Sequence, residues 1–289
     1  MYFTRDNCIG DVIFCPSFQG FGRLLFPVDR QFDYHTKLEN IDDIYIWYNY
    51  INVNKTIEIL NYLKQQVDAQ YQIFYDIYTE AEKREDTTKR DTGLFFFRGK
   101  TNASFAIVNA GGGFMYVGAM HDSFPQALEI SKKGCHAFAL IYRPSHAMED
   151  LAKAISFVFE HQDELQVNTS SYSLWGGSAG ARMAATLGNY GTKYFGQKDY
   201  PLPATIVMQY TGLSQVTGNE PPTYCCVGTH DYISPYSIMK NRVDKIKKNG
   251  TDAYIDIFKG LPHGFGLGQG TCGEGWLDHA MNFWYKHMD

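Results

Sequence analysis

The chain has 289 residues and a formal net charge of −5, with 26 Lys+Arg against 31 Asp+Glu. That balance gives no electrostatic footing for nucleic acid or an anionic membrane surface as partner. With 44% hydrophobic and 20% charged residues, the composition fits a globular protein with a sizeable core and excludes intrinsic disorder. No apolar run approaches the roughly 18 residues that a membrane helix needs. The N-terminus lacks a basic stretch followed by an apolar one, so no secretory signal is expected. Cys8, Cys15, Cys135, Cys225, Cys226 and Cys272 have no C-x-x-C spacing. Neither a metal site nor a disulfide framework is indicated, and reduced thiols in the cytoplasm are the expected setting.

Residues 1–55 interleave Phe18, Phe21, Phe26, Phe32, Tyr34, Tyr45, Trp47, Tyr48 and Tyr50 with Gly, Pro and Asp, without helical or strand period. So many aromatic residues must pack on something. A structural wrap on the main domain is the leading expectation, with a wall or lid over a site, or a homodimer contact, left open. Ile57, Leu60, Leu63 and Val67 mark an amphipathic helix. Tyr71–Tyr78 and Gly93–Arg98 read as strands, and the charged run Glu80–Asp91 between them reads as an exposed hairpin loop. From Ser104 strands and helices alternate. Strands are predicted at 105–108, 137–142, 172–175, 204–209, 223–227 and 253–258, and helices at 124–133, 148–160, 179–187, 237–247 and 277–286. Continuous apolar strands separated by helices indicate a mostly parallel sheet covered on both faces, with the two early strands as its antiparallel edge. No repeat or linker divides the chain. One α/β domain over 1–289 is expected, with 1–55 as an N-terminal extension and 71–289 as the core.

In such a sheet, ligands bind beyond the carboxyl ends of the strands, and four loops there carry chemistry-bearing residues. Gly176-Gly177-Ser178-Ala179-Gly180 fits G-x-S-x-G between a predicted strand and helix, the context of a nucleophile elbow. Asn109-Ala110-Gly111-Gly112-Gly113-Phe114 follows another strand. Backbone N–H groups of Gly112 or Gly113, with that of Ala179, are the candidate oxyanion donors. Asp231, after the strand ending at Val227, can orient a histidine. His263, in Leu261-Pro262-His263-Gly264-Phe265, is the histidine in a glycine-rich loop downstream of both Ser178 and Asp231. A serine hydroxyl needs a neighbouring base, and the order Ser178, Asp231, His263 is the Ser…Asp…His order of one hydrolase architecture.

These motifs together resemble the α/β-hydrolase fold as found in the esterase/lipase group, which includes bacterial acetyl esterases and acetylxylan esterases. The resemblance runs from about Tyr71 to the C-terminus. Two departures stand out. Ala110 replaces the histidine of the H-G-G-G pattern common in hormone-sensitive-lipase-like esterases, and Gly177 replaces the acid of G-D-S-A-G. The first bears on how the oxyanion loop is braced, not on its backbone donors. The short connection between Gln209 and Thr223 leaves no room for a large helical lid. The resemblance implies a serine esterase for short acyl esters, acetyl first, with a small or sugar-like alcohol. Its partner would be a small-molecule ester, and no metal or organic cofactor is required. A peptidase of the prolyl-oligopeptidase type and a non-catalytic binding protein on the same fold are the alternatives.

Overall fold

The computed structural model describes residues 2–288. A short helix, α1 (Ile9–Ile13), and several 3-10 turns lead into α2 (Val53–Asp68). Then follow β1 (Phe74–Tyr75), α3 (Glu80–Glu85), β2 (Gly93–Phe97), β3 (Ser104–Asn109), α4 (Ala119–Asp122), α5 (Phe124–Lys132), β4 (His136–Ile141), α6 (Ala147–Glu160) and α7 (Gln162–Leu165). The remainder comprises β5 (Asn168–Gly177), α8 (Ala179–Tyr190), β6 (Thr205–Gln209), β7 (Thr223–Gly228), α9 (Tyr236–Lys248), β8 (Ala253–Phe258) and α10 (Trp276–Lys286).

The eight strands form one sheet in the order β1-β2-β4-β3-β5-β6-β7-β8. β1 pairs antiparallel with β2, and β2 with β4. All later neighbours pair in parallel. The apolar runs at 94–97, 105–108 and 137–141 are buried along their whole length, as strands covered by helices on both faces require. β8 closes the sheet as an edge strand, with Ala253 buried, Tyr254 and Ile257 exposed and the other residues half-buried. This is the mostly parallel α/β sheet, with an antiparallel edge, that the apolar pattern predicts. β5 sits in the middle, so the loop after it is flanked by the loops after β3 and β6.

Two expectations need correction. The charged run at 80–91 is not a hairpin loop but α3 followed by a 3-10 turn over Thr87–Asp91. A capping box starts α3: Thr79 Oγ1 accepts from the Glu82 N–H at 3.2 Å, and Glu82 Oε2 accepts from the Thr79 N–H at 2.7 Å. That T-x-x-E pattern satisfies two backbone donors that a loop would leave to water. The strand expected over 71–78 shrinks to Phe74–Tyr75. Past Tyr75 the chain is drawn off the sheet edge, where Asp76 pairs with the buried Lys83 at 2.6 Å and Tyr78 donates to Asp150 at 2.6 Å.

Residues 2–50 pack on the core. Phe18, Leu24, Leu25, Leu38 and Ile41 are buried, and Phe21 stacks on Phe74 and meets Phe95 edge-on. The connection from 210 to 222 contains no helix.

Candidate active site

At the carboxyl end of β5 the chain turns sharply into α8. Ser178, at φ 50° and ψ −111°, stands at the turn. Few non-glycine residues adopt a positive φ, and such strain clusters at functional sites. Gly176 and Gly180 make the bend feasible. A Cβ on Gly176 would strike the Gly180 backbone, and one on Gly180 would strike the Asn109 carbonyl. The Ser178 N–H donates to the Gln209 carbonyl at 2.9 Å, tying the turn to β6. Ser178 is half-buried.

The structure brings Ser178, His263 and Asp231 together from three loops. His263 Nε2 lies 3.1 Å from Ser178 Oγ, and His263 Nδ1 lies 2.8 Å from Asp231 Oδ2. With Asp231 accepting, Nδ1 carries the proton and Nε2 is free to accept from the serine hydroxyl. Asp231 Oδ1 accepts from the N–H groups of Ile233 and Ser234, at 3.0 and 2.6 Å. These bonds fix its second oxygen and explain why a carboxylate follows β7. His263 and Asp231 are both buried.

Of the candidate oxyanion residues, Ala179 follows Ser178 directly, and Gly112 and Gly113 continue the loop whose Gly111 faces the serine, where an added Cβ would come within 2.9 Å of Ser178 Cβ. Ala179 opens α8, so its N–H has no partner within the helix. Gly112 and Gly113 have φ of 124° and 64°, conformations open chiefly to glycine. Among the described residues, neither N–H meets an acceptor. The Gly111 N–H is engaged instead, by Asp122 Oδ2 at 2.7 Å.

Sequence reasoning missed the groups that hold these loops. Asp122, at the end of α4, also accepts from the hydroxyls of Tyr48, at 3.2 Å, and Tyr210. Its burial pushes the carboxyl up to about 6, against the opposing pull of the Tyr210 and Gly111 hydrogen bonds and of nearby His263. Burial raises both tyrosines well above the usual phenol range, so they act as neutral donors. His121 Nε2 donates to the Gly264 carbonyl at 3.0 Å, and burial lowers its imidazole to about 4. Asn49 donates twice to the histidine loop: Nδ2 to the His263 carbonyl at 2.8 Å, and its N–H to the Gly264 carbonyl at 3.0 Å. The N-terminal arm is therefore both a wrap and a wall. The indole of Trp47, itself at φ 68°, stands over Gly113, while the Trp47 carbonyl crowds Gly264. No local pattern in the sequence marks these groups, because their partners lie far along the chain.

His230 is exposed and stacks on Tyr232. His279 bonds to Asp256 and His287 to Asp252. Among the described residues no cluster of His, Cys, Asp and Glu could hold a metal ion. The six cysteines are free thiols, and among the described residues no helix is long and apolar enough to cross a membrane.

Comparison with known proteins agrees with this architecture. The BD-FAE family model matches residues 98–204. A thermophilic esterase from the Planctomycetes species Thermogutta terrifontis, solved with propionate bound, superposes with a TM-score of 0.59 at 21% identity, covering 68% of this chain and 89% of that one. An alpha/beta hydrolase enzyme from a Medee basin deep-sea metagenome library gives 0.58 at 21%, covering 68% and 92%. An acetyl ester-xyloside bifunctional hydrolase from Caldicellulosiruptor lactoaceticus gives 0.59 at 19%, covering 68% and 88%. A search of curated protein sequences found no match. Sheet order, serine turn and structural likeness together make this chain a protein of the α/β-hydrolase fold.

Proposed function

We propose that the protein is a serine carboxylesterase that hydrolyses short acyl esters, acetyl first, of a small or sugar-like alcohol. The observation that carries the reading is the hydrogen-bonded series Ser178–His263–Asp231, at 3.1 and 2.8 Å, standing where the parallel strands end. In this reading Ser178 Oγ attacks the ester carbonyl while His263 Nε2 takes its proton. Asp231 holds the imidazole in the required tautomer and stabilises the cation that forms. The N–H groups of Ala179 and of Gly112 or Gly113 receive the oxyanion. Each such donor is worth about 3 to 4 kcal/mol in the transition state. His263 returns the proton to the leaving alcohol, and water, activated by the same imidazole, releases the acid. This chemistry requires no cofactor.

The acyl preference draws on the structural neighbours, one holding propionate and one an acetyl ester-xyloside bifunctional hydrolase. The test is hydrolysis of p-nitrophenyl acetate, butyrate and octanoate by wild type and Ser178→Ala. The expected result is acetate well above octanoate, with kcat in the variant reduced by about 10⁶. Equal rates in the variant would refute the nucleophile, and octanoate above acetate would refute the acyl preference.

A further inference from the structure

We propose that Asp122 is a positioning residue, which fixes the oxyanion-loop backbone against the serine turn with the help of Tyr210 and of Tyr48 from the N-terminal arm. The inference rests on the esterase reading of the same site.

Asp122 is fully buried, and among the described residues no Lys, Arg or His forms an ion pair with it. Burying a carboxylate without a cation is costly unless hydrogen bonds compensate. Three donors do so, each from a different part of the site. The Gly111 N–H comes from the glycine loop at 2.7 Å, the Tyr48 hydroxyl from the arm at 3.2 Å, and the Tyr210 hydroxyl from the segment after β6. Tyr210 in turn packs edge-on against the His263 ring, with centroids 5.0 Å apart.

The glycines around the carboxylate leave room for it. A Cβ on Gly111 would come within 2.9 Å of both Asp122 Oδ2 and Ser178 Cβ, and a Cβ on Gly177 would run into the carboxylate itself. Asp122 therefore fills the space between the glycine loop and the residue preceding the nucleophile. By accepting from Gly111 it fixes the Ala110–Gly111 peptide plane. The following two planes are held by their carbonyls, with the Gly118 N–H donating to the Gly111 carbonyl at 3.1 Å and the Met115 N–H to the Gly112 carbonyl at 2.9 Å, so Asp122 anchors the start of the loop that carries the Gly112 and Gly113 N–H groups. Asp122 does not touch the reacting atoms. Its effect passes through the loop it braces, where a displacement of about 1 Å can cost about 100-fold in rate.

The test is steady-state hydrolysis of p-nitrophenyl acetate by wild type, Asp122→Asn, Asp122→Ala, Tyr210→Phe and the double variant Asp122→Ala/Gly177→Asp, with melting curves for each. Asp122→Asn keeps the shape of the side chain but turns an NH2 group towards the donors. It should lower kcat by about 10- to 100-fold with KM unchanged and cooperative melting retained. Tyr210→Phe, which removes one donor and keeps the ring, should give a smaller fall in kcat. The double variant returns a carboxylate to the same space from the opposite wall and should recover part of the loss seen in Asp122→Ala. Wild-type kcat in Asp122→Asn overturns the proposal, as does a loss that follows the melting temperature and is not recovered by the double variant. If Asp122→Asn does not fold, wild-type kcat in Tyr210→Phe overturns it. No turnover of any ester by wild type defeats the esterase reading first, and the inference with it.

Discussion

Ser178 is held at φ 50°, a conformation that costs about 1–3 kcal/mol for a side chain outside glycine. It persists because the turn is fixed on all sides by Gly180 against Asn109, by the bond to Gln209 and by α8. Asp122 stores energy in a different way. Burial raises its carboxyl from 3.8 to about 6, so the folded state binds this proton more tightly than the unfolded state does. The contribution to stability is therefore fully present below the unfolded value and is lost as pH rises through the folded one. Between pH 5 and pH 8 that loss amounts to roughly 1 kcal/mol. Urea unfolding of wild type and Asp122→Asn across this range should reveal it, with wild type losing stability relative to the variant as pH rises. Parallel curves would place Asp122 at an ordinary carboxylate value. Ser178, Asp231 and His263 were legible in the sequence because each sits in a loop directly after an apolar strand, in a set order. Asp122, Tyr48 and Tyr210 were not legible. Their bonds span 74 and 88 residues, and nothing local marks an aspartate that will be buried without a cation.

Among the elements, the strands and helices from 104 onward followed their apolar pattern to within a few residues. The exception at the elbow was β5, which begins at Asn168 rather than Tyr172, because its polar first residues gave no apolar signal. The run at 80–91 failed for another reason. Charge content alone reads as loop, but Thr79 and Glu82 form a capping box that starts a helix. The N-terminal arm could not be read because its aromatic residues follow no period. They are placed by what they meet, as with Phe18 against Phe3 and Phe21. Phe18 is fully buried, so Phe18→Ala should destabilise the whole fold by about 3–5 kcal/mol in urea. A loss below about 1 kcal/mol, the range of surface substitutions, would make the arm a peripheral attachment. Through Tyr48 and Asn49 the same arm reaches both the Asp122 network and the histidine loop. Packing and site geometry are thus linked in one segment.

At the scale of the molecule, one eight-stranded sheet gathers the serine turn, the glycine loop, Asp231 and His263 at the carboxyl ends of β5, β3, β7 and β8. The arm lies over the glycine and histidine loops through Trp47, Tyr48 and Asn49. The 210–222 connection, where a mobile cap would insert, contains no helix. With no such cap to open, the rate of butyrate ester hydrolysis should follow one hyperbola through the solubility limit of the substrate. A jump in rate above that limit would reveal a covering segment that moves.

The central claim is that His263 and Asp231 make Ser178 a nucleophile. The most direct measurement is peptide mapping by mass spectrometry after treatment with a fluorophosphonate probe, for wild type, Ser178→Ala and His263→Ala. The account predicts one adduct in wild type, on the peptide containing Ser178, with none in Ser178→Ala and strongly slowed labelling in His263→Ala. An unlabelled wild type, or an adduct that survives in Ser178→Ala, would contradict it.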